Sequence, residues 1–135
     1  MPSFMKIMGD RGPLDGGSQH PKRQGWFDIV HWYFNPSTQT FGGGSARSEQ
    51  FREISVVLAE SIPAVRLIPY IIDGHSFDWL TIEQFPPKPD LMWYHIKSVL
   101  ATGYYPLAGS PDRLVFHFEG TSVKTGLGSW PGPHA

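Results

Sequence analysis

The sequence predicts a mainly β protein, an antiparallel β-barrel with one short flanking α-helix. The 135 residues include fifteen glycines, thirteen prolines and 14% aromatic residues, a composition typical of many short strands joined by turns. Apolar residues alternate with a period of two in most segments, and only one segment carries helix signals. Closing the strands into a barrel would avoid the exposed edges of an open sheet.

The first half of the chain predicts three strands and two long loops. Residues 3–9 form the first strand, and residues 9–25, dense in Gly, Pro and Asp, form a long loop. The second strand covers residues 26–34 and the third covers residues 51–60. The segment between them is rich in turn-forming residues and is long enough to be functional or disordered.

The helix is predicted between Ser61 and Gly74. Ser61 can cap the free amides, Pro63 is tolerated in a first turn, and the Asp73-Gly74 pair can end a helix. Pro69 should kink or split the segment near residues 66–68, because proline removes a backbone donor and clashes with the preceding turn. We therefore expect short helical turns and no straight rod.

The second half predicts three more strands, at residues 75–85, 90–102 and 112–125. A proline-rich turn separates the first two, and residues 103–111 form a loop. The last residues have no periodicity and predict a flexible tail. The predicted organisation is a barrel domain over residues 1–125 and a C-terminal tail over residues 126–135.

The charge and cysteine content exclude several function classes. The chain has eleven Lys and Arg residues and twelve Asp and Glu residues, so its charge does not indicate binding to nucleic acid or to an acidic membrane surface. The absence of cysteine removes disulfides, thiol nucleophiles and thiolate metal sites. No stretch looks like a signal peptide or a membrane span, so we expect synthesis in the cytoplasm and export only by a route without an N-terminal signal.

A metal site is the main chemical alternative. His31, His95 and His117 lie on three predicted strands that a barrel could bring together around a metal ion. None belongs to a closely spaced ligand pair, and strand alternation points His117 away from the core. The sequence therefore predicts no catalytic, cofactor-binding or metal-binding residue and no enzyme. A small barrel that binds a metal or ligand, including an enzyme built on these histidines, is the alternative.

Two strands have more apolar surface than a small core needs. Strict alternation gives the second strand two apolar faces, and the segment from Ile54 to Ala59 has small or apolar residues on both. Head-to-tail contacts in a ring of identical subunits would cover such faces. The predicted subunit interface comprises Trp26, Val30, Trp32, Phe34 and Val57.

Several motifs, in this order along the chain, carry a resemblance to a known family. The segments "SFMKIMGDRG", "FDIVHWYF", "ISVVLAESIPAVRLIPYIIDG", "WYHIKSVLATG" and "DRLVFHFEGTSVKT" resemble the Hcp (haemolysin-coregulated protein) family, the tube protein of bacterial type VI secretion. The resemblance implies a barrel that assembles into six-membered rings, which stack into a hollow tube. It also implies export with the secretion spike, contact with sheath components and effectors carried in the lumen. It brings no catalytic residue.

The resemblance further implies a ring-stacking role for the loop from Asn35 to Glu49. Its glycines would let the loop order on contact, while an aromatic ring and a guanidinium group would anchor it. The predicted stacking residues are Asn35, Phe41, Gly42, Gly43, Gly44 and Arg47. The alternative is a surface loop without a partner.

Overall fold

The computed structural model describes residues 3–35, 51–59, 63, 65–84, 91–107, 110–119 and 123–132. Its elements in chain order are β1 (Ser3–Gly9), β2 (Gly12–Pro13), β3 (Phe27–Asn35), β4 (Phe51–Leu58), α1 (Ile68–Asp73), β5 (Ser76–Gln84), β6 (Met92–Leu107), β7 (Ser110–Glu119) and β8 (Val123–Leu127). No helix within these ranges is long and apolar enough to cross a membrane.

Six of the strands close into an antiparallel barrel. The order around the barrel is β1, β3, β4, β7, β6 and β5, and β5 pairs with β1 to complete the circle. β2 pairs with the end of β1, and β8 pairs with the first part of β6. The predicted fold class is confirmed, because the chain forms a closed antiparallel barrel with a short helix beside it.

Antiparallel pairing gives the barrel two distinct ends. β3 and β5 finish at one of them, with Asn35 and Gln84, and β6 begins there with Met92. We call this the Asn35 end. β1 finishes at the other end and β5 begins there, directly after α1. This is the helix end.

Apolar side chains from all six strands fill the barrel interior. Among them are Met5, Ile7, Phe27, Ile29, Ile54, Val56, Leu58, Phe77, Leu80, Ile82, Ile96, Val99, Ala101, Leu114, Phe116 and Phe118, all buried. Leu67 is buried in the same cluster, and Tyr70 and Ile71 of α1 pack against it. The helix therefore contributes to the core at its own end of the barrel.

The split predicted for the helical segment is confirmed. Pro63 and Val65 are helical, residues 66–67 form a turn, and α1 starts at Ile68 with Pro69 in its first turn. Proline fits there because the first amides of a helix have no partner within the helix. Gly74 ends α1 with a φ of 64°, a left-handed conformation that glycine adopts without steric cost.

The prediction that β3 has two apolar faces is wrong, because the strand contains a β-bulge. Ile29 pairs with Leu58 and His31 pairs with the adjacent Val57, so Val30 is an extra residue with no partner in β4. The insertion moves the later side chains to the opposite face. Most of the apolar residues of β3 consequently pack in or against the core, namely Phe27, Ile29, Trp32 and Phe34.

β6 also departs from simple alternation. Ile96 and Val99 are both buried in the core although three positions separate them, and the residue between Lys97 and Val99, Ser98, has a φ of 54°. This positive φ is rare for a residue with a side chain, and it lets the strand change face. A register shift between Ala101 and Gly103 changes the face again.

Two predicted boundaries in the second half are wrong. The loop predicted at residues 103–111 does not exist at that length, because β6 continues to Leu107 and β7 begins at Ser110. The strand predicted at residues 112–125 is two strands, since β7 ends at Glu119 and β8 begins at Val123. Gly103 and Pro106 within the predicted loop are turn-forming residues, but pairing with β7 overrides this local preference.

Candidate functional site

The outer wall of the barrel has two halves, one covered by other segments of the chain and one with accessible apolar side chains. Over β1, β5 and the first part of β6, the wall is overlaid by residues from segments 14–26 and 128–132. We call this the covered half. Over β3, β4, β7 and the last part of β6, large apolar side chains such as Val30 and Tyr105 remain accessible. We call this the exposed half.

His95 lies at the centre of the covered half. In the sheet it pairs with Thr81 of β5 on one side and with Lys124 of β8 on the other. The Thr81 hydroxyl is 2.7 Å from His95 Nδ1, and both residues are buried. The ring of Trp130 stacks on the imidazole, with 5.3 Å between centroids and 21° between planes. The imidazole is therefore held from the side by Thr81 and from above by Trp130.

Other aromatic rings extend this packing along the wall. Trp130 also contacts Trp79, at 5.2 Å, and Trp26, at 6.3 Å. The Arg23 guanidinium lies 5.2 Å from the Trp26 ring, and the Lys6 ammonium lies 5.8 Å from it. Cations above an indole face are attracted by its quadrupole. The result is a small second core on the outside of the barrel.

A buried ion pair ties the two covering segments to the wall. Glu83 of β5 has only 3% of its side chain exposed, and it forms a salt bridge with Arg23, which is 15% exposed. The other carboxylate oxygen of Glu83 accepts a hydrogen bond of 3.3 Å from the backbone amide of Trp130. A buried carboxylate needs such partners because burial alone would strongly disfavour its charge.

The environment of His95 disfavours its protonated form. Burial is the main cause that lowers the pKa of His95, and the positive charges of Lys97 and Lys124 lower it further. The imidazole is therefore neutral near pH 7. Its second nitrogen, Nε2, is buried and has no hydrogen-bond partner among the described residues.

On the exposed half, polar side chains hold the aromatic rings in position. Arg113 donates a hydrogen bond of 3.1 Å to the Tyr33 hydroxyl, and its guanidinium lies 4.6 Å from the Tyr105 ring. Hydrogen bonds from Ser55 and from Arg113 lower the pKa of Tyr33. Arg113 thus joins β7 to Tyr105 on the neighbouring strand β6 and to Tyr33 on β3, which lies beyond β4.

The bulge residue Val30 projects from this half with 60% of its surface exposed, and Tyr105 is 47% exposed. Val57 is half-buried beside them on β4. Further along the wall, His117 Nε2 lies 2.8 Å from a carboxylate oxygen of Glu53. The exposed half therefore combines accessible apolar groups with charged groups that are already paired, a combination suited to protein contacts.

The five predicted interface residues are distributed over three places. Val30 and Val57 lie on the exposed half, and Trp26 lies within the covered half. Trp32 and Phe34 pack inside, near the Asn35 end, where their rings contact that of Tyr94 at 4.8 Å and 5.1 Å. A subunit interface stays a prediction for all five.

The predicted stacking loop falls mostly outside the described residues. Asn35 is the last residue of β3, at the end of the barrel from which the loop departs. The other stacking residues, Phe41, Gly42, Gly43, Gly44 and Arg47, lie outside the described ranges. Their role stays a prediction.

The three histidines of the metal alternative have separate surroundings. His95 is bonded to Thr81, His117 to Glu53, and the His31 ring lies beside Tyr33 at 5.5 Å. Within the described ranges, no three His, Asp or Glu side chains come together as a metal site would require. The geometry gives the metal alternative no support.

Sequence reasoning missed the residues that organise the covered half, above all Arg23, Glu83 and Trp130. The available signal was Trp130 itself, a single large aromatic residue in a segment of Gly, Ser and Pro. Leaving an indole in water is unfavourable, so a lone tryptophan suggests docking. The boundary between barrel and tail stays a prediction, although the structure places Gly126 and Leu127 in β8.

Comparison with known proteins identifies the fold. No protein-family model matches the sequence. No curated protein matches it either. Among solved structures, the Hcp1 protein from the E. coli EAEC 042 pathovar has a TM-score of 0.66 at 10% identity, over 96% of this chain and 99% of that one. Hcp2 from Salmonella typhimurium has a TM-score of 0.63 at 15% identity, over 93% and 92%. The secreted protein Hcp3 from Pseudomonas aeruginosa has a TM-score of 0.62 at 9% identity, over 95% and 99%. The chain has the fold of these Hcp proteins.

Proposed function

We propose that this protein is an Hcp-type subunit of a type VI secretion tube, which assembles into six-membered rings and has no enzymatic role. The observation that carries the proposal is the closed barrel, shared with solved Hcp proteins over more than nine tenths of both chains. The motifs quoted from the sequence support the same assignment.

The exposed half supplies a surface for ring contacts. A standard interface buries about 800 Å² on each partner, so two neighbours in a ring would cover about 1,600 Å² of each subunit. The chain has an accessible surface of 7885 Å², of which that area is about a fifth. Val30, Val57 and Tyr105 offer apolar contacts on this side of the barrel, and a head-to-tail ring requires a second, different patch elsewhere.

Replacing Val30 with Asp tests the ring. Size-exclusion chromatography with light scattering should give the wild-type protein a mass about six times that of the 15.1 kDa chain. In V30D a charge would be buried without a partner at each interface, so the ring should dissociate into folded monomers. Circular dichroism checks that the monomers retain their strands.

The matched control is Val65→Asp. Val65 is 52% exposed, close to the 60% of Val30, but it lies in the helical segment beside α1 and not on the exposed half. V65D should keep the ring. A wild-type protein that is monomeric, or a V30D ring as stable as that of V65D, would contradict the proposed assembly.

The loop from Asn35 to Glu49 is the proposed stacking element between rings. It follows Asn35, the last residue of β3, at the end of the barrel opposite the helix end, and this point of attachment supports the proposal. Deleting residues 38–45 should leave rings intact by light scattering and abolish end-to-end tubes in electron micrographs. Tubes that form equally well without these residues would assign stacking to another part of the chain.

The remaining partners follow from the same proposal. The subunit is made in the bacterial cytoplasm and leaves with the spike, and the tube contacts the sheath and holds effectors in its lumen. Secretion can be tested by tagging the chain in a strain with an active type VI system. The tagged chain should accumulate in the medium of that strain and not in a strain that lacks the spike.

A further inference from the structure

We propose that the covered half holds a binding site for an oxyanion, a carboxylate or phosphate group, in the cleft beside His95. The cleft is lined by Trp93, His95, Lys97, Lys124, Trp130, Pro131 and Gly132. It lies on the outer wall, away from the exposed half, and nothing in the proposed ring or tube requires it.

The first observation is a buried hydrogen-bonding atom without a partner. His95 is 4% exposed and lines the cleft, Thr81 occupies its Nδ1, and its buried Nε2 has no hydrogen-bond partner within the part of the chain that the structure describes. When the Thr81 hydroxyl donates to Nδ1, Nε2 carries the ring hydrogen and needs an acceptor. A buried donor left without an acceptor is unfavourable, so the site favours a group that can accept.

The second observation is the charge around this atom. Lys97 lies two residues along β6 from His95, and Lys124 faces His95 across the β6 and β8 pairing. Both lysines act on the imidazole as positive charges. Neither takes part in a salt bridge with a carboxylate of the described residues, and Glu83 nearby is already paired with Arg23. An acceptor that enters this cleft therefore gains most if it is an anion.

The third observation is that packing of the surrounding side chains fixes the shape of the cleft. Trp93 lies over Gly126 so closely that a Cβ at that position would be 2.4 Å from the indole. Glycine is thus required there for the ring to lie flat on β8. Trp130 forms another wall, fixed by its stacking on His95 and by the hydrogen bond that its backbone amide donates to the Glu83 carboxylate. Two indoles, two lysines and the buried imidazole therefore surround the position that we propose for a small oxyanion.

Fluorine NMR on protein labelled with 5-fluorotryptophan tests the site directly. The chain has five tryptophans, and Trp93→Phe and Trp130→Phe variants would assign the two relevant signals. Sodium acetate and sodium phosphate are titrated separately, with sodium chloride used to keep the ionic strength constant. We expect the signals of Trp93 and Trp130 to shift and saturate with acetate, with phosphate or with both. The anion that saturates at the lower concentration identifies the group as carboxylate or phosphate.

Two charge-neutralising variants decide whether the cleft is responsible. Lys124→Gln removes a cation from the cleft, whereas Lys22→Gln removes one from an exposed position elsewhere. The apparent dissociation constant should rise about tenfold in K124Q, the size expected for losing one charge-assisted contact, and stay unchanged in K22Q. V30D should bind as the wild type does, which separates this site from the proposed ring.

The opposite results would overturn the proposal. If chloride alone reproduces the shifts, or if they grow linearly without saturation, the anions act only as a general ionic atmosphere. If K124Q and K22Q weaken binding equally, the effect belongs to the net charge of the protein and not to the cleft. In either case Nε2 of His95 would be satisfied by water.

Discussion

The covered and exposed halves of the outer wall differ in whether the chain buries the outward side chains of its own barrel strands. On the covered half, the chain lays its own segments 14–26 and 128–132 over the strands, and Phe4, Thr81, Glu83 and His95 become buried although they lie on the outside. On the exposed half, Val30 and Tyr105 remain accessible. An apolar outer face therefore does not by itself indicate a partner, because the same chain can cover it.

This difference changes the basis of the assembly proposal. The two-sided apolar strand that suggested a ring is largely explained by the bulge at Val30, which moves Trp32 and Phe34 inside. The apolar surface that remains for a neighbouring subunit is smaller and lies around Val30, Val57 and Tyr105. The stability of the covered half should therefore depend on its own contacts, whereas the exposed half should be free to bind.

The largest effect is expected from Glu83→Gln on the covered half. This change leaves Arg23 beside a neutral side chain in a largely buried site, and breaking a buried ion pair costs roughly 3 to 5 kcal/mol. The partial exposure of Arg23 places E83Q at the lower end of that range. Urea unfolding followed by circular dichroism measures the free energy of unfolding.

The matched control for E83Q is Asp15→Asn. It breaks the ion pair of Asp15 and Arg66, in which the side chains are 72% and 54% exposed. Exposed pairs contribute about 1 kcal/mol or less, so D15N should be nearly neutral. Equal losses in the two variants would mean that burial does not distinguish the covered half.

A smaller effect is expected when Trp130 is replaced by Ala. The variant loses stacking on His95 and contacts with Trp79 and Trp26, and it exposes part of the wall beneath. Because Trp130 is only half-buried, we expect a loss of about 1 to 3 kcal/mol in the free energy of unfolding. Leu127→Ala, at a residue 66% exposed, is the control and should change stability little. If W130A is as stable as L127A, the C-terminal segment does not hold the covered half together.

On the exposed half, Tyr33→Phe removes the hydroxyl that accepts a hydrogen bond from Arg113 and contacts Ser55. A typical net contribution of such a bond is about 0.5 to 1.5 kcal/mol. The loss should appear in urea unfolding of the V30D background, where subunit contacts no longer contribute. A loss as large as that of E83Q would show that the exposed half is as tightly organised as the covered half.

The smallest effect is a dependence on pH that comes from a single group. The pKa of His95 is lowered in the folded protein, chiefly by burial, so between that value and about 6.5 the unfolded chain binds more protons than the folded one. The free energy of unfolding should therefore rise with pH through this window and fall as the pH decreases through it.

Comparing His95→Gln with His31→Gln isolates this contribution. H95Q should show a flatter profile between pH 5 and 7 than the wild type, as measured by unfolding at each pH. H31Q, which replaces an exposed imidazole, is the control for the loss of a histidine. Identical slopes in all three proteins would remove His95 as the source of the pH dependence.

The sequence by itself determined the fold class, the order of most strands and the split helix. Alternation of apolar residues encodes one buried face of each strand, and Pro69 and Gly74 act on the backbone through local sterics. Such signals depend only on neighbours along the chain, so no knowledge of the assembled barrel is needed to interpret them. Val30 and Val57 could also be identified from the sequence as residues outside the core.

Only the tertiary structure decided which face each apolar residue occupies and which outer faces the chain covers itself. The bulge at Val30 and the change of face at Ser98 arise because the strands must pair in register around a closed barrel, and a single inserted residue reverses the alternation beyond it. The contacts of Trp130 with His95 and of Arg23 with Glu83 join residues far apart in the sequence. No local pattern encodes such pairs, because they form only when the closed barrel brings the segments together.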